Sequence, residues 1–127
     1  MCGIGIFATR KDAEHSDSLE ESLRSRGPDH FERVQVCFNG WKISLASAVL
    51  HIRGVSMGKQ PLTSERFVFG WNGEVYAGID IGDACDTLTV FNSLTCLAIL
   101  PDPEMQMKRF FESIEAPFAF FLFDASA

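Results

Sequence analysis

Cys2 directly follows the initiator methionine. Removal of Met1 would place a thiol nucleophile and a free α-amine on the same residue. An α-amine titrates near ~7.7–8.0 and a free cysteine near ~8.5, so at neutral pH part of the amine is neutral and can accept the thiol proton, directly or through one water molecule. Cys2 is therefore a candidate nucleophile that carries its own base. The alternative is a thiol without a function, and Cys2 alone does not decide between the two.

The strands and helices that would position Cys2 follow from hydrophobic periodicity and turn signals. Residues 3–8 alternate small and large apolar side chains, which predicts a buried strand with Cys2 fixed at its start. Asn39-Gly40 lies between two apolar runs and predicts a β-hairpin. Further strands are predicted over residues 34–38, 43–50, 67–71 and 118–123, and helices over residues 18–26, 88–98 and 103–114. Helices packed on largely antiparallel strands predict an α+β architecture.

Composition and charge exclude several kinds of partner. The formal net charge of the 127 residues is −6 and the basic residues are scattered, so neither nucleic acid nor an anionic membrane is an expected partner. The four cysteines lack the spacing of a zinc clip, and no metal site is expected. The start of the chain is unlike a signal peptide, and the longest apolar run is too short to span a membrane. We therefore expect a reduced, cytoplasmic protein in which Cys37, Cys85 and Cys96 are buried small hydrophobic residues.

The last predicted strand, residues 118–123, is almost entirely apolar, and four residues follow it. An apolar edge strand that nothing covers is an aggregation hazard. We therefore expect either that the domain continues beyond this chain or that this edge contacts a partner.

Five motifs stand in order along the chain: Cys2-Gly3-Ile4, Arg26-Gly27-Pro28-Asp29, Leu50-His51-Ile52-Arg53, Gln60-Pro61-Leu62 and Trp71-Asn72-Gly73-Glu74. Together they resemble the class II glutamine amidotransferase domain, which has an N-terminal-nucleophile hydrolase fold. The Arg-Gly-Pro-Asp form is similar to the asparagine synthetase branch, and the phrases around the third and fifth motifs look most like the asparagine synthetase domain-containing proteins. The resemblance implies a layered αββα fold of the α+β class. It implies one glutamine amidotransferase type-2 domain over residues 2–127, which the early end of the chain suggests is truncated at its C-terminus.

The resemblance also implies the residues of a glutamine site. Cys2 resembles the nucleophile that attacks the side-chain amide of L-glutamine, with its own α-amine as general acid and base. Asn72 and Gly73 resemble the oxyanion-hole donors, one through its side-chain N–H and the other through its backbone N–H. Arg53 resembles the residue that binds the α-carboxylate of glutamine, since a planar guanidinium can bond both oxygens. The remaining residues implied to bind glutamine are Gly54, Val55, Ser56, Met57, Glu74 and Asp86.

Several of these residues also have a simpler structural interpretation. Asn72-Gly73 could be an ordinary turn after a strand, and Arg53 could form a surface salt bridge. Asp86 could cap the helix that follows, a role compatible with binding the substrate ammonium. The family usually has Gly-Ser before this aspartate, whereas Ala84-Cys85 precede it here, and Asp83 is the rival ligand.

Three other polar residues of the motifs are interpreted as structural. His51 lies in an apolar stretch and is expected to be a hydrogen-bonded core residue, because the α-amine of Cys2 makes a second base unnecessary. Arg26 and Asp29 are expected to organise the loop that faces the site.

The implied reaction is hydrolysis of glutamine to glutamate and ammonia through a γ-glutamyl thioester on Cys2. In the family the ammonia passes to a synthetase domain or subunit that activates aspartate with ATP in asparagine biosynthesis. No Ser-Gly-Gly-x-Asp-Ser loop occurs in this chain, so ATP and Mg are expected only in a separate synthetase domain, and no cofactor is expected here. The alternative is a non-catalytic regulatory or scaffold module with the same fold, which would not need a free N-terminal cysteine.

Overall fold

The computed structural model describes residues 2–10, 18–51, 58–83 and 85–126, and within these ranges it contains two antiparallel sheets and three helices. The α+β class predicted from the sequence is confirmed. The first sheet has the strand order β1-β3-β2 and the second the order β4-β5-β6. The strands are β1 (Gly3–Arg10), β2 (His30–Phe38), β3 (Trp41–Val49), β4 (Leu62–Thr63), β5 (Phe67–Gly73) and β6 (Phe118–Asp124). The helices are α1 (Ser18–Arg26), α2 (Asp86–Ala98) and α3 (Pro103–Ser113), and none is long and apolar enough to cross a membrane.

The first sheet is built on the hairpin that Asn39-Gly40 predicts. Both turn residues have positive φ, 48° at Asn39 and 81° at Gly40, the conformation that a two-residue hairpin turn of this kind requires. The pairing of β2 with β3 runs from Phe38 opposite Trp41 at the turn to His30 opposite Val49 at the other end. Trp41 remains 44% exposed at the tip of the hairpin.

The Gly-Ile-Gly-Ile pattern of β1 separates the two faces of the strand. The glycines face α1, because a Cβ atom added to Gly3 or Gly5 would lie 3.1 or 3.2 Å from methyl groups of Leu23. Leu23 is buried and packs against alanines of β3. Ile4 points the opposite way and packs in the cluster between the sheets. Small residues on one face of the strand thus allow the helix to approach closely.

The two sheets are joined by a cluster that contains Leu45 of β3, Val68 of β5 and Phe121 of β6. On its other face, β5 contributes Phe69 and Trp71 to a second core with α2, and both side chains are at most 1% exposed. α3 covers the neighbouring β6, where the rings of Phe118 and Phe120 stack on one phenylalanine of α3. Phe121 of β6 is buried between the sheets, and Phe120 and Leu122 pack against the second core, whereas Phe118 remains 40% exposed. The outer edge of β6 has no neighbouring strand among the described residues.

The structure differs from the sequence prediction at three cysteines, at the end of β5 and at β4. Cys37, Cys85 and Cys96 are exposed free thiols and not buried residues. Cys37 lies on the edge strand β2 and Cys96 on the outer surface of α2, and cysteine is small enough to be tolerated at either kind of position. β5 continues two residues beyond the predicted strand, through Asn72-Gly73, which excludes the alternative that this pair is an ordinary turn after a strand. The short strand β4 has no counterpart in the prediction.

Candidate active site

Cys2 lies at the start of β1, one residue before the ladder in which Gly3 is paired with Ala48 of β3. Its half-buried thiol Sγ lies 3.9 Å from the carbonyl oxygen of Leu50, within the range of a weak S–H···O hydrogen bond. Alternation along the strand puts Cys2 on the same face as Ile4, which packs between the sheets. The thiol is therefore directed toward the inter-sheet space at one end of the molecule.

Asn72 lies on the facing strand β5, two residues beyond Gly70. Alternation places its side chain on the same face of β5 as Val68 and Gly70. That face is turned toward the first sheet, because Val68 belongs to the same buried cluster as Leu45 and a Cβ atom on Gly70 would lie 2.9 Å from Ser47 Oγ.

The contacts between β5 and β3 advance in step along the two strands. Val68 shares a buried cluster with Leu45, and Gly70 lies against Ser47, so one further step of two residues along each strand would bring Asn72 to the level of Val49. Continuing the pairing of β1 with β3 by one residue sets Cys2 opposite this same valine. The fold thus brings Cys2 and Asn72 to the same end of the inter-sheet space.

Gly73 occupies a position where only glycine fits. A Cβ atom on this residue would lie 2.7 Å from the carbonyl oxygen of Pro117 and 2.8 Å from Cβ of Phe118, its partner in β6. It would also lie 2.9 Å from the ring of Trp71. Although these contacts crowd one side, Gly73 is exposed, so a ligand can reach its backbone.

The Arg26-Gly27-Pro28-Asp29 motif packs against the end of β3. A side chain on Gly27 would collide with the backbone of the last two residues of that strand. Asp29 donates its backbone N–H to Val49 O at 3.1 Å and accepts the backbone N–H of His51 on Oδ2 at 2.8 Å. These bonds support the interpretation that Asp29 organises the loop at the site. The interpretation of His51 as a core residue is wrong: β3 ends at Val49, and the imidazole beyond it is exposed.

Asp86 is the first residue of α2 and connects this helix to the chain that follows Glu74. Its Oδ2 accepts the backbone N–H of Val75 at 3.2 Å, and its Oδ1 accepts the N–H of Thr87 at 2.8 Å and the Cys85 thiol at 3.7 Å. Asp83 lies in an exposed turn. Of the two rival carboxylates, Asp86 is the one hydrogen-bonded next to the Asn72–Glu74 segment.

Arg53, Gly54, Val55, Ser56 and Met57 lie outside the described residues, and their assignment to the glutamine site stays a prediction. The described residues on either side of them can be placed. His51 is tied to Asp29, and a Cβ atom on Gly58 would lie 2.9 Å from Cys85 Sγ, next to Asp86. Glu74 donates its backbone N–H to Pro117 O at 3.3 Å, which holds it beside β6.

No role is predicted for Gln60 from the sequence, although the residue belongs to one of the five motifs. It is 3% exposed, and both ends of its side-chain amide are hydrogen-bonded within the protein. A polar residue directly before a proline was the signal available in the sequence. It does not indicate the hydrogen-bond partners, Trp71 and Thr87, which lie 11 and 27 residues further along the chain.

One depression in the described part of the surface lies outside this site, and none of the described residues forms a candidate metal site. A shallow depression under α1, lined among others by Phe7, Phe31 and Arg33, is on the opposite face of the first sheet from Cys2. Within the described ranges, no group of three or more His, Cys, Asp or Glu residues is placed to hold a metal ion.

Comparisons with known proteins agree with the motifs. The family model of the glutamine amidotransferase domain matches residues 1–127. Human asparagine synthetase domain-containing protein 1 is 32% identical over 134 aligned residues, which cover all of this chain and 20% of the human protein. The chicken protein of the same name is 33% identical over 136 residues, covering 99% of this chain and 20% of its own length. This chain therefore spans about a fifth of the length of these curated relatives, and no solved structure gives a significant match. The chain belongs to the glutamine amidotransferase domain family.

Proposed function

We propose that this chain is a glutaminase domain that hydrolyses L-glutamine to glutamate and ammonia through a thioester on Cys2. The observation that carries the proposal is the position of Cys2 and Asn72 at one end of the inter-sheet space, each on the strand face that is turned toward the other sheet. A thiol nucleophile on one sheet and an amide donor on the facing sheet are the two kinds of group that acyl transfer requires.

The reaction begins after removal of Met1, when the α-amine of Cys2 accepts the thiol proton and Sγ attacks the δ-carbon of glutamine. The carbonyl oxygen becomes an oxyanion, which receives hydrogen bonds from the Asn72 side chain and the Gly73 N–H. The proton held on the amine then passes to the leaving nitrogen, so that ammonia departs and a γ-glutamyl thioester remains. Water attacks this thioester with the amine again as base, which releases glutamate and restores the thiol.

The substrate is held by its α-carboxylate and α-ammonium groups. The Arg53 guanidinium bonds both carboxylate oxygens, with residues 54–57 lining the same pocket and Glu74 beside the oxyanion donors. Asp86 receives the ammonium. Each of its carboxylate oxygens has more than one acceptor position, so the backbone bonds from Val75 and Thr87 leave capacity for a ligand.

We assign the fold to the N-terminal-nucleophile hydrolases, whose two sheets lie between helices in the layer order αββα. Support comes from the contacts of α1 with the outer face of the first sheet and of α2 with the outer face of the second. Further support comes from the position of Cys2 at the start of a strand that borders the inter-sheet space.

The ammonia acceptor is a synthetase domain or subunit in asparagine biosynthesis. Support comes from the relatives, which are named for an asparagine synthetase domain and are about five times as long as this chain. ATP and Mg belong to that acceptor, and glutamine hydrolysis itself uses no cofactor. The cytoplasm, where thiols stay reduced, suits a thiol nucleophile.

The test is covalent labelling with 6-diazo-5-oxo-L-norleucine, a glutamine analogue whose diazomethyl carbon alkylates the attacking thiol with loss of N₂. Intact-mass measurement is expected to show loss of Met1 and one adduct, located on Cys2 by peptide mapping. The Cys2→Ala variant is expected to show none. An adduct that persists in this variant, or an unlabelled parent chain with Met1 removed, would leave the non-catalytic module as the better description.

A further inference from the structure

Gln60 is a buried glutamine whose side-chain amide joins two parts of the site. Its Oε1 accepts the backbone N–H of Trp71 at 2.7 Å, and its Nε2 donates to Thr87 Oγ1 at 3.3 Å. Thr87 is itself only 4% exposed. A buried amide with both ends satisfied by protein groups orients those groups as well as itself.

The side chain of Gln60 takes the place of a strand partner for β5. β4 pairs with β5 only at Leu62 opposite Phe69 and Thr63 opposite Val68. Continuing this register would set Gln60 opposite Trp71, but Pro61 has no N–H with which to extend the ladder. The amide oxygen of Gln60 accepts the N–H that a longer β4 would have bound.

The backbone of β5 fixes which way the neighbouring N–H groups point. Alternate residues of a strand direct their N–H groups to the same side. Glu74 donates to Pro117 O, next to β6, whereas Trp71 and Val75 donate away from β6 to side chains. Gly73 therefore directs its N–H away from β6, on the same side as the N–H groups of Trp71 and Val75. The side chains of Gln60 and Asp86 accept those two N–H groups.

The two side chains that hold these groups are connected to each other. Gln60 Nε2 donates to Thr87 Oγ1, and Thr87 N–H donates to Asp86 Oδ1, whose carboxylate binds Val75 through Oδ2. Gln60, Thr87 and Asp86 thus form one hydrogen-bonded unit at the N-terminus of α2, which we call the 60–87–86 clamp.

We propose that Gln60 is a positioning residue that, through this clamp, fixes the direction of the Gly73 N–H, the backbone donor of the oxyanion hole. The inference rests on the proposed glutaminase function and names a residue that the function had not used. An oxyanion donor is effective only when its N–H points at the oxygen that becomes charged. A small rotation of the Trp71–Val75 backbone therefore reduces the stabilisation of the transition state more than the binding of the substrate. Gln60 acts through the Trp71 backbone and not through the substrate.

Three variants test this role. Gln60→Leu removes both hydrogen bonds at similar volume, and Gln60→Glu keeps an acceptor for the Trp71 N–H. Thr87→Val removes the acceptor of Gln60 Nε2 while keeping the side-chain shape. It tests the same hydrogen-bonded unit if Gln60→Leu does not fold. Arg66→Met is the control for a general loss of stability, because its pair with Asp124 lies at the other end of β5 and β6.

The first measurement is glutaminase kinetics at a temperature where circular dichroism shows every variant to be folded. In Gln60→Leu, kcat is expected to fall on the order of 10- to 100-fold, as for a misplaced oxyanion donor, with KM nearly unchanged. Gln60→Glu is expected to have a kcat close to that of the parent. Thr87→Val is expected to show a smaller fall in kcat than Gln60→Leu, again with KM nearly unchanged. Arg66→Met is expected to keep the parental kcat.

The second measurement separates the transition state from the ground state. L-Glutamate γ-semialdehyde adds to the Cys2 thiol as a thiohemiacetal whose oxygen occupies the oxyanion hole. Its affinity is expected to fall in Gln60→Leu by about the same factor as kcat. The Kd of L-glutamine, measured without turnover in a Cys2→Ala background, is expected to stay constant.

The outcomes distinguish the two levels of the proposal. Suppose that the parent is active and that Gln60→Leu and Thr87→Val have the same kcat and the same aldehyde affinity as the parent and Arg66→Met. Gln60 is then merely structural, and the inference is wrong. If the parent itself shows neither glutaminase activity nor an aldehyde adduct on Cys2, the proposed function fails and the role of Gln60 fails with it.

Discussion

Asp29 Oδ2 accepts the backbone N–H of His51 at 2.8 Å across 22 residues of sequence. The backbone N–H of Asp29 donates to Val49 O at 3.1 Å, so one residue holds both the last residue of β3 and the chain that leaves it. Leu50, between these two anchored residues, presents its carbonyl oxygen to Cys2 Sγ. A carboxylate from the preceding motif therefore anchors the backbone at the point where the chain leaves β3.

Asp29→Ala is expected to raise the KM for glutamine more than it lowers kcat, because the chain that leads into the predicted substrate-binding segment loses its anchor. The loss of one exposed hydrogen bond is expected to cost about 0.5–1.5 kcal/mol of unfolding free energy. Steady-state kinetics and urea denaturation measure the two effects. Asp29→Asn, which keeps an acceptor oxygen, is the matched control, and equal KM values in both variants would contradict an anchoring role.

Arg53→Ala is expected to raise the glutamine KM roughly 10- to 150-fold with a smaller change in kcat. The estimate is the loss of a charge-assisted hydrogen bond, about 1.5–3 kcal/mol. Arg109→Ala, at an exposed position of α3, is the control for loss of a positive charge and is expected to leave KM unchanged. A parental glutamine dependence in Arg53→Ala would remove this residue from the pocket.

The ion pair of Arg66 with Asp124 predicts a pH dependence of stability. Two N–H···O bonds of 2.8 and 2.7 Å from Arg66, together with bonds from Ser126, hold the pKa of Asp124 well below its usual range. An aspartate in an unfolded chain has a pKa near ~3.9. Because the folded pKa is the lower one, the stabilisation is fully present above the unfolded value and is lost as the pH falls through the folded value.

Asp124→Asn is therefore expected to be less stable than the parent at pH 7, with a difference that shrinks progressively below about pH 5. Urea denaturation at several pH values measures this. Arg66→Met removes the other partner and is expected to give the same convergence at low pH. A destabilisation that stays constant down to acid pH would show that packing, and not the charged pair, accounts for it.

Gly70→Ala is expected to destabilise the protein by about 1–3 kcal/mol, the usual cost of overpacking a core. The new methyl group would lie 2.5 Å from ring atoms of Phe121 and 2.9 Å from Ser47 Oγ, in the contact between the sheets. Denaturation of Gly70→Ala, Phe121→Leu and the double variant forms a thermodynamic cycle. A double variant more stable than the sum of the two single changes is expected, and strict additivity would rule out the predicted collision.

The elements that carry the site were predictable where a local pattern has one interpretation. The alternating glycines and isoleucines of β1 fit only a strand with one crowded face, and Asn39-Gly40 specifies the hairpin turn. The end of α2 and the start of α3 were marked by prolines. The strand orders of the two sheets were not predicted, since periodicity does not say which strands pair.

The rest depended on contacts between residues distant in sequence. β4 has two residues, which is too short for any period to be read. The partners of Gln60 lie in β5 and α2, and nothing near residue 60 indicates them. Asp86 was assigned through the family, but its bond to Val75 depends on how the loop between them folds back. The same limit applies to the exposure of Cys37, which its sequence neighbours do not determine.

The two tryptophans of the chain differ sharply in burial, 1% exposed for Trp71 and 44% for Trp41. Their fluorescence therefore divides into two signals. Trp41 is expected to emit at long wavelength and to be quenched by iodide, whereas Trp71 is expected to emit at shorter wavelength and to be shielded from the quencher. Because Trp71 adjoins Asn72 and stacks on Phe118 with ring centroids 5.2 Å apart, its emission is expected to report on the second sheet next to the proposed oxyanion donors.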